Sequence, residues 1–501
     1  MPAFTSPAQA AQWLLQHTSG TLHTDSRLMV AGDGFVAWPG TVVDARRFVT
    51  QAVSHGAGAC LVEQQGSALF GLQSSATVGR YPGLKADTGV IAAEYFGNPS
   101  QRLAVVAVTG TNGKTSTTWW LAQALSQLPA PLTMACGVIG TLGVGQPNRD
   151  VTSTGMTTPD PVVLQRTLRS FADAGLKACA MEASSIGIEE HRLRGTHVQV
   201  AVFTNFSQDQ LDYHGSMQAY WQAKRKLFAW PGLQSAVINL DDAYGAALAD
   251  SLVGHLADVW TVSVRQPARL RAHNIVYKNG GLYFEVAEGE HNIGLQTKMI
   301  GSYNISNLLA VLGAMRALNV PLQAAVDACA HLLPVPGRME CLGGVDQPLV
   351  AVDYAHTPDA LAHALDALRP LAQQRGGRLW CVFGCGGDRD ATKRPLMGAI
   401  AMQHADLVVI TSDNPRSERP ESIISQILLG LVEQNGAEVW VDRAQAIAEA
   451  ISQAADQDVI LLAGKGHEST QELAGVKHPF SDYAHAEKAL AARIKNQGVL
   501  A

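Results

Sequence analysis

Short runs of apolar residues alternate with longer segments of mixed polarity along most of the 501-residue chain. Each run has the length of a strand that is buried on both faces of a sheet. In the middle of the chain these runs are residues 103–108, 178–181, 198–203, 236–239 and 259–264. Helix-like periods lie between them, so the pattern predicts an α/β protein built from βαβ units with a largely parallel sheet.

Two breaks in this pattern predict three domains. Residues 98–100 read Asn-Pro-Ser and end a mixed α/β segment, and residues 334–337 read Pro-Val-Pro-Gly, as a stiff linker does. We therefore predict domains at residues 1–100, 101–337 and 338–501, in agreement with roughly 150 residues per domain.

The last domain repeats the alternation and predicts a ligand site. Its apolar runs at residues 379–383, 407–410 and 459–462 are each followed by a polar or glycine-containing loop. Loops that leave the carboxyl ends of strands in an open α/β sheet are where ligands bind. Ahead of the first run, Thr357 is expected to cap a helix that begins at Pro358.

A small antiparallel addition is predicted inside the middle domain. Asn279-Gly280 separates residues 275–277 from residues 282–284, which is a strong hairpin pattern. A helix over residues 303–318 is expected to follow it.

Composition and charge narrow the class of protein. The chain is 47% hydrophobic and carries 37 Lys and Arg against 43 Asp and Glu, which is ordinary for a folded domain protein. It has no polybasic block for nucleic acid and no apolar run of about 18 residues for a membrane, and the residues before Arg27 do not have the pattern expected of a secretory leader. We expect a cytoplasmic monomer that acts on small molecules, without nucleic acid or membrane insertion.

The seven cysteines are too scattered for a disulfide framework, so reduced thiols are expected. Only Cys381 and Cys385 lie close together in the sequence. A zinc site would need a second ligand pair, and packing at a strand end is therefore the favoured interpretation of these two residues.

A phosphate-binding loop is predicted at residues 109–116, Thr-Gly-Thr-Asn-Gly-Lys-Thr-Ser, between an apolar strand and an apolar helix. Its glycines allow backbone N–H groups to face a polyphosphate, Lys114 can reach the β- and γ-oxygens, and Thr115 can ligate Mg²⁺. Val108 stands where the general motif has glycine. ATP or GTP binding is predicted, by Gly110, Thr111, Asn112, Gly113, Lys114, Thr115 and Ser116. Phosphate binding alone leaves a kinase, a GTPase switch and a ligase open.

A series of short motifs in order through all three domains resembles the Mur ligase family, the ATP-dependent amide-bond ligases of peptidoglycan precursor synthesis. The motifs lie at residues 25–27, 109–115, 157–159, 181–185, 211–215, 223–224, 304–307, 337–338, 353–356, 384–389, 413–416 and 464–468. The resemblance implies a small α/β N-terminal UDP-binding domain, a central P-loop ATPase-like domain with a parallel sheet and a C-terminal Rossmann-like domain.

The family resemblance implies a reaction and its catalytic residues. A substrate carboxylate attacks the γ-phosphate of ATP, and the amino group of an incoming amino acid displaces phosphate from the resulting acyl phosphate. Lys114, Glu182 and Lys224 are implied as catalytic. Lys224 resembles the lysine that reacts with CO₂ to form a carbamate; without the resemblance it would be one more surface lysine, and Glu182 could be a solvated loop carboxylate.

The resemblance also implies an ATP and magnesium site. Asn304, Arg338 and Asp353 would join the phosphate loop around ATP, and Mg²⁺ would be held by Thr115, Glu182 and the Lys224 carbamate. Members of the family commonly have histidine where this chain has Gln210. The neutral amide oxygen of glutamine suits Mg²⁺ only in another geometry, so Gln210 is expected to act through water.

Two further groups of substrate residues are implied by the same motifs. The UDP-sugar substrate would be bound by Ser26, Arg27, Thr157, Thr158, Ser184 and Arg192, although such residues also cap turns and helices. An incoming diamino acid would be bound by Arg389, Asp413, Asn414, Pro415, Arg416, Gly464 and Glu468. Read alone, residues 413–416 are a surface Asn-Pro turn.

The motif at residues 413–416 selects among substrates. Family members that add meso-diaminopimelate resemble this chain there, whereas members that add lysine generally lack the arginine. A guanidinium such as that of Arg416 can grip the second carboxylate of diaminopimelate with two hydrogen bonds, and a site built for that group rejects lysine.

The function implied is an ATP-dependent ligase that adds meso-2,6-diaminopimelate to UDP-N-acetylmuramoyl-L-alanyl-D-glutamate, for cell wall biogenesis, cell shape and cell division. A lysine-adding or folylpolyglutamate-type ligase is the alternative on the same scaffold. A non-catalytic nucleotide-binding module is the alternative from another class, and Gln210 is the residue that suggests it.

Overall fold

The computed structural model describes residues 1–40, 43–72, 77–147, 149–278, 281–344, 346–431 and 437–499. Three main sheets follow one another along the chain, each flanked by helices. The mixed α/β fold that the alternating pattern predicts is therefore confirmed. None of the helices in the described ranges is long and apolar enough to cross a membrane.

The first sheet has four parallel strands in the order β1-β2-β3-β4. Its elements are α1 (Pro7–His17), β1 (Leu22–His23), β2 (Gly34–Ala37), α2 (Val49–Ser54), β3 (Ala59–Glu63), β4 (Val78–Tyr81) and α3 (Leu84–Tyr95). Every residue of β2 and β3 is buried, because helices cover both faces of this small sheet.

The second sheet has eleven strands in the order β15-β14-β13-β12-β11-β10-β5-β9-β6-β7-β8. Its strands are β5 (Ala104–Thr109), β6 (Cys136–Gly140), β7 (Gly143–Gly145), β8 (Val151–Thr152), β9 (Ala178–Glu182), β10 (Val200–Phe203), β11 (Ser235–Asn239), β12 (Asp258–Ser263), β13 (Leu270–Lys278), β14 (Gly281–Glu288) and β15 (His291–Gln296). Its helices are α4 (Lys114–Gln127), α5 (Pro161–Asp173), α6 (Ser185–Glu189), α7 (Leu211–His214), α8 (Met217–Arg225), α9 (Ala243–Leu252), α10 (Tyr303–Ala317) and α11 (Leu322–Ala330).

The centre of this sheet is parallel and both edges are antiparallel. Strands β13 and β14 pair as the predicted hairpin does, and the turn residues 279–280 lie outside the described part of the chain. The other antiparallel edge, β7 and β8, carries no apolar alternation and was not predicted. Helices α4 and α10 pack with the central strands into the largest apolar cluster.

The third sheet has six strands in the order β16-β17-β21-β18-β19-β20, parallel except at β16. Its strands are β16 (Glu340–Leu342), β17 (Leu349–Asp353), β18 (Leu379–Phe383), β19 (Leu407–Ile410), β20 (Ala437–Val439) and β21 (Val459–Ala463), and β22 (Thr470–Leu473) pairs separately with β23 (Val476–Pro479). Its helices are α12 (Pro358–Arg375), α13 (Lys393–His404), α14 (Pro420–Leu428), α15 (Arg443–Gln453) and α16 (Asp482–Val499).

Local predictions in this last part of the chain are confirmed. The Thr357 hydroxyl caps α12 by accepting from the Ala360 N–H, with Pro358 in the first turn. Cys381 lies in β18 and Cys385 follows it; both are buried free thiols, as packing at a strand end requires. In the described ranges no cluster of three or more His, Cys, Asp or Glu is placed so that it could hold a metal.

Candidate active site

The phosphate-binding loop lies between β5 and α4, as its motif predicts. Gly110 and Gly113 have φ angles of 149° and 84°, a range that side chains disfavour. A Cβ atom on Gly110 would overlap the Thr204 hydroxyl, and one on Gly113 would overlap the Asn307 side chain. The loop is thus closed tightly against β10 and α10 and leaves its N–H groups at the N-terminus of α4.

Lys114 folds back over this loop. Its Nζ donates to the carbonyl oxygens of Gly110 at 2.9 Å and Thr111 at 2.8 Å. Burial lowers the pKa of this amine, while the carboxylates of Glu182 and Asp209 act in the opposite direction. The ammonium is therefore held by backbone carbonyls, in the place where a polyphosphate would supply negative charge.

A cavity of about 740 Å³ opens in front of the loop and is bounded by both the second and the third sheets. Its lining includes nearly all of the predicted nucleotide residues and three of the predicted magnesium ligands: Thr111, Asn112, Gly113, Lys114, Thr115, Ser116, Glu182, Gln210, Asn304, Arg338 and Asp353. The structure therefore brings residues that are far apart in sequence to one concave site of the size that small ligands occupy.

Arg338 links the two sheets at this cavity. Its Nη2 donates to the Thr115 hydroxyl oxygen at 3.1 Å, and its guanidinium lies 4.5 Å from the centre of the Tyr354 ring. Asp353 ends β17 and accepts from the Met339 N–H at 2.8 Å. Burial raises the pKa of the Asp353 carboxyl, although Arg338 acts against this shift.

Glu182 is a buried carboxylate at the end of β9. It accepts from the Thr141 N–H at 2.8 Å and from the Thr141 hydroxyl at 3.1 Å. Gly140 leaves room for it, since a Cβ atom there would overlap the carboxylate. The alternative of a solvated loop residue is therefore wrong. Thr115 and Glu182 offer hydroxyl and carboxylate oxygens to one cavity, a donor set that suits Mg²⁺.

Lys224 is buried in α8, so the interpretation as a surface lysine is also wrong. Its Nζ donates to the Gly110 carbonyl at 2.7 Å and lies 4.3 Å from the centre of the Tyr220 ring. Burial, reinforced by the charge of Lys114, lowers the pKa of this amine well below its ordinary value. Lys224 contacts the loop through the Gly110 carbonyl and is not part of the cavity lining.

Gln210 borders the cavity at the start of α7, with φ at 54°. Its neighbour Asp209 also lines the cavity. Burial opposes ionisation of Asp209, but the charges of His356, Lys393 and Lys114 outweigh it and hold the pKa of that carboxyl below its usual range. Asp209 therefore places a carboxylate that favours its ionised form at this edge of the cavity.

Four of the predicted UDP-sugar residues form one hydrogen-bonded group beside Glu182. Thr157 accepts from the Thr141 hydroxyl at 3.1 Å, and the Thr158 hydroxyl donates to the Glu182 carbonyl at 2.8 Å. Ser184 lies 3.1 Å from the Thr158 hydroxyl and also caps α6, and Arg192 donates to the Thr158 carbonyl at 2.9 Å. Both interpretations of Ser184 are therefore compatible with its position.

Ser26 and Arg27 lie apart from this group, in a 3-10 turn of the first sheet's loops. The Asp25 side chain caps the turn and pairs with Arg27 at 2.6 Å. The Arg27 side chain is 86% exposed. None of the hydrogen bonds of the described residues joins these two to the group around Thr158, so the structure does not bring the whole predicted set together.

The predicted amino-acid residues lie on three neighbouring loops of the third sheet, which follow β18, β19 and β21. Arg416 donates to the Gly387 carbonyl at 2.7 Å and has a φ of 52°. Asn414 donates to Glu468 at 2.8 Å, and the Asp413 carboxylate lies against Gly464. Pro415 packs against Gly387.

Arg389 is placed differently from the other members of this set. Its side chain is more than half exposed and points toward Asp212 of the second sheet, at 3.7 Å between Nη1 and Oδ2. The loops nevertheless adjoin the nucleotide cavity, because the Gly464 N–H donates to the Asp353 carbonyl at 3.1 Å.

Several residues of the cavity received no role from the sequence, although Tyr354 and His356 lie within the motif at residues 353–356. Asn205 accepts from the Asn112 N–H at 2.8 Å, and Asp359 accepts from the Asn112 side-chain amide at 3.1 Å. Tyr354 and His356 also line the cavity. All four follow the carboxyl ends of β10 or β17, and that position was the available signal.

Comparison with known proteins places the chain in a family. A model of the Mur ligase middle domain matches residues 108–315, and a model of the Mur ligase glutamate ligase domain matches residues 337–466. The chain belongs to the Mur ligase family.

Individual relatives within this family that are similar to the chain share one enzyme name. The chain is 60% identical over 492 residues, 98% of either protein, to the UDP-N-acetylmuramoyl-L-alanyl-D-glutamate–2,6-diaminopimelate ligase of Acidovorax sp. (strain JS42). It is 47% identical, again over 98% of either protein, to the enzyme of the same name from Janthinobacterium sp. (strain Marseille). A solved structure of an enzyme with this name is 34% identical, with a TM-score of 0.65 over 95% of either chain.

Proposed function

We propose that this protein is an ATP-dependent ligase that joins meso-2,6-diaminopimelate to UDP-N-acetylmuramoyl-L-alanyl-D-glutamate in peptidoglycan precursor synthesis. The observation that carries the proposal is the cavity in which the phosphate loop, Glu182 and the Arg338–Asp353 pair meet. The loops with Arg416 and Glu468 adjoin that cavity, so an amino acid bound there can reach a carboxylate activated beside Lys114.

The chain's own groups would act by position and charge. The loop N–H groups and Lys114 bind the phosphates, so negative charge on the transferring γ-phosphate is stabilised. The substrate carboxylate forms a bond to that phosphorus and ADP leaves with the bridging oxygen. The uncharged amine of diaminopimelate then attacks the acyl carbon, phosphate leaves, and the new amide nitrogen loses its proton.

Magnesium would be held by Thr115 and Glu182, with Gln210 contributing through water and with Lys224 as its carbamate. When bound, the ion neutralises phosphate charge. Lys224 meets the requirement for carbamate formation, because its burial and the nearby Lys114 favour the uncharged amine that reacts with CO₂. Carbamate formation would turn a buried cation into an anionic oxygen donor.

We assign substrates to the three predicted domains, 1–100, 101–337 and 338–501. Ser26 and Arg27 of the first would bind the uridine diphosphate end, and Thr157, Thr158, Ser184 and Arg192 of the second the peptide carboxylates or pyrophosphate. The third would bind diaminopimelate. Because ATP and the UDP-linked precursor are its substrates, we place the enzyme in the cytoplasm. We further propose that it acts as a monomer.

The test is a substrate panel with purified protein. With ATP, Mg²⁺ and the UDP-muramoyl dipeptide, phosphate release and a product with the mass of the tripeptide are expected with meso-diaminopimelate. Turnover with L-lysine equal to that with diaminopimelate would contradict the specificity. Nucleotide binding without any amide product would favour the non-catalytic module.

A further inference from the structure

Lys465 is a completely buried lysine that joins two of the amino-acid loops. It follows β21, and its side chain has 0% exposure. Its Nζ donates to the Asn414 side-chain oxygen at 3.1 Å, to Glu468 Oε2 at 2.8 Å and to the Thr470 carbonyl at 2.8 Å. Three acceptors satisfy the three N–H groups of the ammonium.

The two carboxylate oxygens of Glu468 differ in the hydrogen bonds that they accept from the protein. Oε2 accepts from both Lys465 and the Asn414 amide, each at 2.8 Å. Among the described residues, Oε1 has no hydrogen-bond donor, although the side chain is partly exposed. One oxygen is thus occupied by the protein, and the other is available to a ligand.

The surrounding framework holds this arrangement in place. Asn414 cannot rotate freely, because its side-chain oxygen also accepts from the Glu472 N–H at 3.0 Å. Gln471 donates to the Asp413 carbonyl at 2.7 Å and so fixes the same loop. Rotation of Glu468 would therefore break bonds on both loops.

We propose that Lys465 is a positioning residue for amino-acid selection, which acts by holding Glu468 so that Oε1 alone faces the distal amine of the diamino acid. This proposal rests on the proposed function. A carboxylate clamped through one oxygen accepts a substrate ammonium without reorganising, and that preorganisation favours substrates that carry the second amine. Lys465 itself does not touch the substrate.

The experiment compares meso-diaminopimelate with 2-aminopimelate, which lacks the distal amine. For the wild-type protein we expect kcat/KM to favour diaminopimelate by about 100-fold or more, since a site built for a polar group rejects an analogue without it. In Lys465→Met the preference should fall to about 10-fold or less, because the freed Glu468 loses the aligned charge-assisted bond. The KM values for ATP and the UDP-linked substrate should change less than about twofold.

A double-mutant cycle separates positioning from general damage. If Lys465 acts through Glu468, Lys465→Met should add nothing to the loss of preference caused by Glu468→Gln. Additive losses, or an unchanged preference in Lys465→Met, would overturn the proposal. Leu461→Ala, a packing variant in β21, should keep the wild-type preference even though it is less stable.

Two further observations cover other outcomes. If Lys465→Met does not fold, a crystal structure of the wild-type complex decides: the distal ammonium should lie on Oε1 with Lys465 still on Oε2, and an ammonium on Oε2 with Lys465 displaced would refute the proposal. A wild-type protein that does not use diaminopimelate would instead refute the proposed function.

Discussion

Buried and partly buried cations have opposite kinds of partner in the second and third sheets. Among the described residues, Lys114 and Lys224 form no ion pair and donate to backbone carbonyls. In the third sheet, Arg443 pairs with Asp482 at 2.7 Å, and Lys465 pairs with Glu468 at 2.8 Å. Both groups lie near the carboxyl ends of parallel strands, so the topology does not explain the difference.

Under the proposed function, the difference follows from what each region would bind. A buried charge without a counter-charge is costly, and the cost is recovered when an anion arrives. The lysines near the phosphate loop fit a site that acquires its negative charge from a triphosphate and a carbamate. The paired cations of the third sheet are neutralised in advance and therefore serve to orient other groups, such as the Ser412 and Ala463 carbonyls that Arg443 contacts.

The largest effect is expected from removing Lys224. Lys224→Ala should lower kcat by about 1,000-fold or more, because loss of a group that stabilises transferring phosphate charge has costs of that order. Binding of the UDP-linked substrate should remain, and excess acetate should restore part of the activity by replacing the missing carboxylate. Phosphate release and calorimetric titration measure the two quantities.

Lys226 provides the matched control for this variant. It lies two residues away, is 52% exposed and pairs with Glu189 on the surface. Lys226→Ala should change kcat by less than about twofold, as exposed ion pairs contribute little. Wild-type turnover in Lys224→Ala would remove the carbamate from the mechanism.

The next largest effect is expected in the free energy of unfolding, which should respond differently to the loss of an ion-paired cation and of an unpaired one. Arg443→Met should destabilise the protein by roughly 3–5 kcal/mol, because it leaves Asp482 buried without its partner. Lys224→Met should instead be neutral or stabilising near neutral pH, since it removes an amine that burial makes costly to charge. Denaturant unfolding of the three proteins gives both values.

The lowered pKa of Lys224 determines how the free energy of unfolding should change with pH. Its pKa in the folded protein is lowered from 10.5, so the unfolded chain binds more protons between the lowered value and 10.5. Stability should therefore rise with pH in that window. The unfolding free energy of the wild type should increase relative to that of Lys224→Met as the pH rises toward 10.5, and a parallel pH dependence would contradict the assignment.

Much of the fold and part of the candidate active site could be predicted from the sequence. The features that could not be predicted depend on contacts between distant parts of the chain. The strand alternation and the strand-loop-helix order around residues 109–116 are local patterns, and the structure has both. Burial of Lys224 is not local: its helix position resembles that of an exposed lysine, and its burial depends on tertiary contacts of α8 such as the one with the Gly110 carbonyl. The role of Asn205 depends on the adjacency of β10 and β5, which residue spacing does not encode.

Loss of Arg416 should have a smaller effect, confined to the amino acid. Arg416→Met should lower kcat/KM for meso-diaminopimelate by about 100-fold, because the distal carboxylate loses its charge-assisted hydrogen bonds. The KM for ATP should stay near the wild-type value. Arg419, which is 83% exposed in the same loop region, is the matched control, and Arg419→Met should retain activity. An equal loss in both variants would show that Arg416 acts on the fold and not on the substrate.

The smallest effect is expected at Gln210, a neutral residue at the edge of the cavity that is proposed to bind the triphosphate and Mg²⁺. The φ of 54° is one that histidine tolerates, so Gln210→His should fold normally. The imidazole would add a ligand at the cavity edge beside Asp209, but Mg²⁺ prefers oxygen donors. The Mg²⁺ concentration for half-maximal activity should therefore change by less than about fivefold, whereas Mn²⁺ or Zn²⁺ should bind more tightly. A metal titration followed by calorimetry measures this directly, and a large gain in Mg²⁺ affinity would show that Gln210 leaves a metal position incomplete.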